Sequence, residues 1–426
     1  MTEATRPRLR LGRRDLRVLG GVAAQGSQAV GSFTLQILAA KLLGLDGLGR
    51  FAALYGIVIL ATAVCGGFIG DSLTVLDRSR RDVRAGLEAW LVIIATSVGV
   101  LASVGAWGSE FVSAHAAIAF GGATVAFVVE DTLRRLLMVT LQFWRIVIVD
   151  VSSLAGSVAV IVVAHLLAER LTLAHFLVAL MVGQVLATLV AVGILPHGER
   201  HVVGLRQASL RTVAAYGAWR AVQQAVRPSL LALVRVVCLL VVSIEAVGRL
   251  EAARIYMAPA TLAVIGASSF LFASNAARRA DPLPTLVRRA DRSVLGLLVG
   301  ISAFGIVGVA VMPWLAPLIT GDDYDLSVVA VAGWAAYAAA LAAVTPYAAL
   351  AAVRGRQAAV LGLRVCDSLV CLALASALVL IDNSVQWVPL ALAVGSVLGG
   401  LAIREFVLTK DVEKERHELH PVVESL

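Results

Sequence analysis

Charge is scarce in this chain: Asp, Glu, Lys and Arg together make up 15% of its 426 residues, against 59% hydrophobic. Soluble domains use about 25% charged residues, so the two or three soluble domains that the length alone would allow are excluded. Long polar stretches are scarce too. Apart from the termini, the longest pieces outside apolar sequence, roughly 195–213 and 275–288, are too short to fold a catalytic domain. No phosphate-cradling glycine loop, nucleophile elbow or metal-ligand cluster is found, so no enzymatic activity, cofactor or metal is expected. The alternation over about ten residues that marks barrel strands does not recur. Cys65, Cys238, Cys366 and Cys371 all fall in apolar runs with neither paired spacing nor an exposed loop to staple, and are read as packing residues.

Apolar sequence fills the rest. Nearly every window of about 20 residues outside a few short breaks is apolar enough to cross the bilayer as a helix. The expected fold is all-α and integral to the membrane, with twelve transmembrane helices. These lie near residues 18–43, 51–76, 86–107, 112–138, 146–168, 173–195, 214–243, 249–274, 289–312, 326–350, 358–381 and 387–409. The basic start MTEATRPRLRLGRRDLR imitates the front of a signal peptide. However, the apolar stretch after it is too long and ends in KLLGLDGLGR with no small-residue cleavage pattern, so a retained tail is expected.

The net charge of +8 invites a nucleic-acid reading until its distribution is considered. With residue 1 cytoplasmic, tails and inner loops hold 28 of the 36 Lys and Arg, and outer loops hold Lys41, Arg50, Arg170 and Arg249 together with the acidic GDDYD at 321–325. This is the positive-inside pattern, with both termini cytoplasmic; membrane lipid, not nucleic acid, is the expected neighbour. The four remaining cations, Arg220, Arg227, Arg235 and Arg254, fall in or beside spans 7 and 8, where a cation facing hydrocarbon costs at least about 2.5 kcal/mol.

Sliding the chain along itself by 199 residues lays DGLGRFAA (46–53) over EAVGRLEA (245–252), and puts Gln25 over Gln224, Gln28 over Arg227 and Gln36 over Arg235. The matching positions are the rare polar ones. Two copies of a six-span unit share an orientation and are related by a pseudo-two-fold axis along the membrane normal. The expected layout is a basic tail (1–17), an N-lobe (18–195), a linker (196–213), a C-lobe (214–409) and a C-terminal tail (410–426), both tails and the linker being cytoplasmic.

At 100° per residue, Gln25, Gln28, Ser32 and Gln36 share an arc of roughly 80° on span 1, and Tyr216, Arg220, Gln223, Gln224, Arg227 and Arg235 share roughly 120° on span 7. Neither stripe can face lipid. Opposite walls of a central cavity are the most economical place for both, with a structural alternative: Arg220 at the cytoplasmic surface, Arg235 snorkelling outward, and Arg254 paired with Glu251 three residues before it. Glu130 with Arg134, Asp131 with Arg135, and Arg364 with Asp367 read as helix-side ion pairs, while Asp71 and Asp150 near span ends read as capping or solvated.

KLLGLDGLGRFAALYGIVILA (41–61), after a polar first span, resembles the opening signature of the polysaccharide transporters in the multidrug/oligosaccharidyl-lipid/polysaccharide exporter superfamily, a group that includes O-antigen and teichoic-acid-type flippases. LLVVSIEAVGRLEAARIYMAPATLAVI (239–265) resembles the same family's turn between spans 7 and 8. The resemblance implies two six-helix lobes around a cavity that opens alternately to each side. It also implies a flippase turning an undecaprenyl-diphosphate-linked glycan over in the bacterial cytoplasmic membrane for surface-polysaccharide synthesis, beside a polymerase and glycosyltransferases. The positions that fit its cationic cavity are Arg227 and Arg235, with Arg220 and Arg254. Gln25, Gln28, Ser32, Gln36, Gln223 and Gln224 would bond sugar hydroxyls.

Two departures bear on coupling. Relatives carry an acid near the outer part of span 7, where this chain has Val234 and Arg235, and drug exporters place a carboxylate in span 1, where this chain has none. Lipid II flippases have two further helices, for which there is no room. Rival readings are an ion-coupled small-solute or drug exporter, which needs a titratable carboxylate facing the cavity, and a non-transporting scaffold for glycan-assembly enzymes.

Overall fold

A computed structural model describes residues 13–200, 208–278, 281–321 and 324–413. Most of the expected basic tail, part of the linker, two residues of GDDYD and the end of the C-terminal tail lie outside the described residues.

Glycine decides where the first helix turns. α1 (Arg13–Cys65) carries one non-helical residue, Gly44, at φ 68° and ψ −177°, a conformation that side chains with a Cβ resist. The break divides α1 into arms 13–43 and 45–65, which are the expected spans 1 and 2. The second arm continues through a π-helical turn (Gly66–Gly70) into α2 (Asp71–Val75). The other helices of the first half are α3 (Arg81–Gly108), α4 (Ala114–Val139), α5 (Phe143–Leu167) and α6 (Leu173–Ile194). The second half comprises α7 (Leu210–Val241), α8 (Ile244–Ala277), α9 (Leu283–Thr320), α10 (Val328–Val353), α11 (Gln357–Asp382) and α12 (Val388–Ile403).

Ten stretches among the described residues are long and apolar enough to cross a bilayer, the first containing both arms of α1. α8 is a further helix of 34 residues. Several helices overrun their expected bounds, because hydropathy marks the apolar window while the helix itself continues into polar sequence: α1 starts within the expected tail, and α9 extends about two turns past its expected end.

Side-chain placement follows from lipid as solvent. Leu101, Leu166, Leu167, Leu240, Ile306 and Ile381 are exposed, forming apolar surface far beyond what a protein in water tolerates. The contact faces are lined with small residues such as Ala39, Ala40, Ala123, Ala187, Ala252 and Ala253. Association between helices in lipid depends on close van der Waals approach, which small residues permit. The chain is a multi-pass membrane protein.

Within the first half, α6 lies on α4 and α5, and α3 on α4; within the second, α10 is surrounded by α8, α9 and α12, with α11 on α12. The two halves meet chiefly where α1 lies on α8 and α7, and where the π turn lies on α7. One part of this interface exposes the repeat in space. Gly49 rests on the carbonyl oxygen of Ile244 and the amide of Gly248, while Gly248 rests on the carbonyl oxygen of Leu45 and the amide of Gly49. An offset of 199 turns Leu45 into Ile244 and Gly49 into Gly248, so each contact maps onto the other, the reciprocity a two-fold axis demands. Nearer the beginning of α7, Gly67 sits against the backbone of Arg220 and Ala221, and Gly217 against that of Phe68.

A methyl group at Gly49 or Gly248 would overlap a facing carbonyl. Gly49→Ala and Gly248→Ala are expected to cost about 1 to 3 kcal/mol by overpacking, measured as a lower unfolding midpoint in detergent. Gly26→Ala, where nothing lies within 4 Å of the new methyl, serves as the control and is expected to be neutral or slightly stabilising.

Candidate functional site

The polar residues of α1 and α7 resolve into clusters related by the repeat. At the equivalent positions Gln25 and Gln224, both side chains are exposed. The next equivalent pair, Gln28 and Arg227, finds partners within its own halves instead of reaching across to the other half: exposed Gln28 meets Arg134, and Arg227 meets Ser396. The third pair, Gln36 and Arg235, meets in one cluster between the halves, Arg235 binding the Glu251 carboxylate and Gln36 binding Arg254, which holds the same carboxylate. A stripe 120° wide spans more than one neighbour, so residues on it part company once several helices pack around it.

The convergence centres on Glu251 of α8, 4% exposed. Arg235 donates through Nε and Nη2 to its Oε2 at 3.3 and 3.2 Å, and Arg254 binds its Oε1. Arg254 also donates through Nη2 to Gln36 Oε1 at 2.5 Å, and Gln36 Nε2 bonds the Ser32 carbonyl at 3.0 Å. Gly56, on the second arm of α1, leaves room for Nη1 of Arg235. Arg235 and Arg254 are therefore charge-paired, with the Glu251–Arg254 pair of the structural alternative present, and Arg235 is held inward instead of snorkelling.

Towards the start of α7, Arg220 binds Asp71 across the two halves, Nε to Oδ2 at 2.8 Å, and donates through Nη1 to Gln223 Oε1 at 2.5 Å and Gln357 Oε1 at 3.5 Å. Asp71, expected to cap or face solvent, is thus the partner of a site arginine. Beside it, Arg135 bonds Asp131 at 2.7 Å as expected, its side chain lying on Gly66 and Gly70 of the π turn.

In the first half, Arg134 does not pair with Glu130 as expected. α5 brings in Asp150, 8% exposed, and Arg134 Nε binds its Oδ1 at 2.9 Å. Nη1 of Arg134 donates to Gln28 Oε1 at 2.8 Å and Nη2 to the Ala24 carbonyl at 2.7 Å, while the Ser27 hydroxyl takes the other Asp150 oxygen at 2.5 Å. Asp150 is buried and bonded, not solvated. With its neighbour engaged elsewhere, Glu130, 6% exposed, has no ion pair or hydrogen bond among the described residues.

In the second half, Arg227 donates through Nη2 to Ser396 Oγ of α12 at 3.1 Å and lies 4.8 Å over the Tyr337 ring of α10. Its Nε and Nη1 are buried with no hydrogen-bond partner among the described residues. Pro228 lies within the same helix. Of the four site arginines, three are held by carboxylates and Arg227 is not. Sequence reading paired Glu251 with Arg254 but missed its second partner Arg235, and it missed Asp71 and Asp150 as arginine partners; the available signal was an acid within or beside an apolar span.

No family model matches the chain, and no curated protein matches it in sequence. Among solved structures, it matches an inward-facing multidrug resistance MATE family transporter of the MOP superfamily with a TM-score of 0.72 at 11% identity, covering 92% of this chain and 96% of that one. It matches the lipid II flippase MurJ, in an inward closed conformation, with a TM-score of 0.73 at 11% identity over 92% of this chain and 87% of that one. Against an outward-facing MATE transporter the TM-score is 0.63 at 14% identity, over 94% and 96%. The fold is the two-lobed helical architecture that these solved structures share, the architecture the resemblance implied.

Glu251 neutralises two cations at once. Glu251→Gln is expected to destabilise the protein by about 3 to 5 kcal/mol, because Arg235, largely enclosed, and the part-exposed Arg254 beside it lose their counter-charge. Thermal unfolding in detergent measures this, and Arg235→Gln added to Glu251→Gln should restore part of the loss; a Glu251→Gln protein as stable as the parent would contradict the pairing.

Proposed function

We propose that the chain is a flippase that carries a polyprenyl-diphosphate-linked oligosaccharide across a bacterial cytoplasmic membrane by alternating access, with both termini cytoplasmic and lobes over 18–195 and 214–409. The observation that carries this reading is Arg227: a guanidinium enclosed among helices with two N–H-bearing nitrogens unpartnered among the described residues. Buried donors left unmade are costly, and a diphosphate supplies oxygens that guanidinium groups bind with directed, charge-assisted bonds. The structural neighbour MurJ is a lipid II flippase, and its likeness in fold supports the same class of cargo.

The headgroup passes between the lobes while the polyprenyl tail stays in lipid. Exposed Gln25 and Gln224 are suited to sugar hydroxyls, and Gln223, Ser32 and Gln36 join them when their present bonds open. Two polar links tie the lobes, Asp71 to Arg220 near the start of α7 and Gln36 to Arg254 beside Glu251. Opening towards the cytoplasm breaks the first link, and opening outward breaks the second. The Asp71–Arg220 link is part-exposed, so exchange with water keeps the cost of opening it low. A polymerase and glycosyltransferases are the partners this role requires.

A second reading is favoured by Glu130. An ion-coupled small-solute or drug exporter needs a titratable carboxylate inside the protein, and Glu130 is buried and free of an ion pair among the described residues. The two readings separate by mutation. Arg227→Gln, at unchanged membrane abundance, is expected to lower surface-glycan export about tenfold or more, the loss of one or two charge-assisted bonds, while undiminished export sinks the flippase reading. Glu130→Gln abolishing proton-driven efflux of a small cation, with Arg227→Gln leaving that efflux intact, would establish the exporter instead.

A further inference from the structure

α11 places a second guanidinium beside Arg227. Arg220 on α7 reaches Gln357 on α11 at 3.5 Å, which sets the register of the two helices. Seven residues further along each helix, about two turns, are Arg227 and Arg364, which the same register brings level with one another on two packed helices. Like charges in a protein interior repel far more strongly than in water. Asp367, 4% exposed, offsets one of them only loosely: its Oδ2 is 3.7 Å from Arg364 Nη1 and accepts no hydrogen bond among the described residues. Two cations and one acid leave a surplus of one positive charge on the seam between α7 and α11.

Arg227 is held from behind by the Ser396 hydroxyl and the Tyr337 ring, with Nε and Nη1 unpartnered. The Arg364 side chain is 27% exposed, so this end of the seam meets the space outside the lobe. α12 contributes Gly399, whose missing side chain makes room for Asp367.

We infer that Arg227 and Arg364 form a two-guanidinium seat for a phosphoryl group, in which Asp367 competes with the bound anion for Arg364. The inference rests on the flippase reading for the nature of the anion and deepens it by naming the second cation and the residue that limits affinity. When the phosphoryl oxygens arrive, Arg364 exchanges a long ion pair for direct hydrogen bonds, and the free Nε and Nη1 of Arg227 gain acceptors. When Asp367 recovers Arg364, the anion leaves. A carrier needs such a competitor, because a seat without one would hold its cargo too tightly to release it.

The test uses the full-length protein in nanodiscs, with farnesyl diphosphate and inorganic pyrophosphate as probes and calorimetric Kd as the readout. Arg364→Gln is expected to weaken farnesyl diphosphate about tenfold or more, Arg364→Lys less, since a point charge lacks the planar fork. Asp367→Asn is expected to tighten it by about threefold or more, a gain that a purely structural ion pair would not produce; this variant and Arg364→Lys keep the test decisive if Arg364→Gln fails to fold. Equal binding of both probes supports a seat that recognises the phosphoryl group alone, and tighter farnesyl diphosphate supports a lipid source. If Arg227→Gln weakens binding while Arg364→Gln and Asp367→Asn leave it unchanged, the two-cation seat is overturned and the flippase reading survives. If the parent protein binds neither probe, both fall.

Discussion

A guanidinium group cannot be left facing hydrocarbon, and the interior of this protein is arranged around that constraint. Arg134, Arg220, Arg235 and Arg254 each bind a carboxylate, and all three acids concerned, Asp71, Asp150 and Glu251, come from a different helix than at least one arginine they hold. The Arg134–Asp150, Arg220–Asp71 and Arg235–Glu251 pairs therefore join helices as well as neutralising charge. In lipid no hydrophobic force drives helices together, so interhelical polar bonds and the close approach of small residues share that work. The glycines beside the arginines follow from the same need: Gly56 admits Arg235, Gly66 and Gly70 admit Arg135, and Gly399 admits Asp367.

The repeat sets out equivalent positions and then uses them differently. Gln28 and Arg227 both turn into their own halves, but the cation near Gln28 is supplied by α4 as Arg134 and is fully engaged with Asp150, Gln28 and a backbone carbonyl. In the other half the cation sits on α7 itself, and its surroundings leave two nitrogens unmatched. One half thus keeps a saturated network and the other a cation with spare capacity. That asymmetry, on a backbone that is nearly two-fold around Gly49 and Gly248, is what gives the second half its distinct chemistry.

Much of the fold was legible because its signals are local. An apolar window, a basic flank or a glycine between two apolar runs can be read within 20 residues, and the offset of 199 shows in short polar matches. The candidate site was less legible. Spacing along a helix proposed Glu130 for Arg134, and it succeeded for Arg135 with Asp131 and for Arg254 with Glu251, where no neighbouring helix supplied a better partner. It failed for Arg134 because α5 presents Asp150 with Ser27 and Gln28 already in place.

Taken alone, the sequence determined that this chain lives in a membrane, where its helices lie, that its halves are copies, and that its arginines need shelter from lipid. These properties depend on composition and on periods of a few residues. Only the tertiary structure decided which acid shelters which arginine, that Gln28 and Arg227 face into separate lobes, and that Glu130 and Arg227 are left without charge partners among the described residues. Electrostatic pairing depends on distance between groups on different helices, and no spacing along one chain encodes how those helices are rotated against each other.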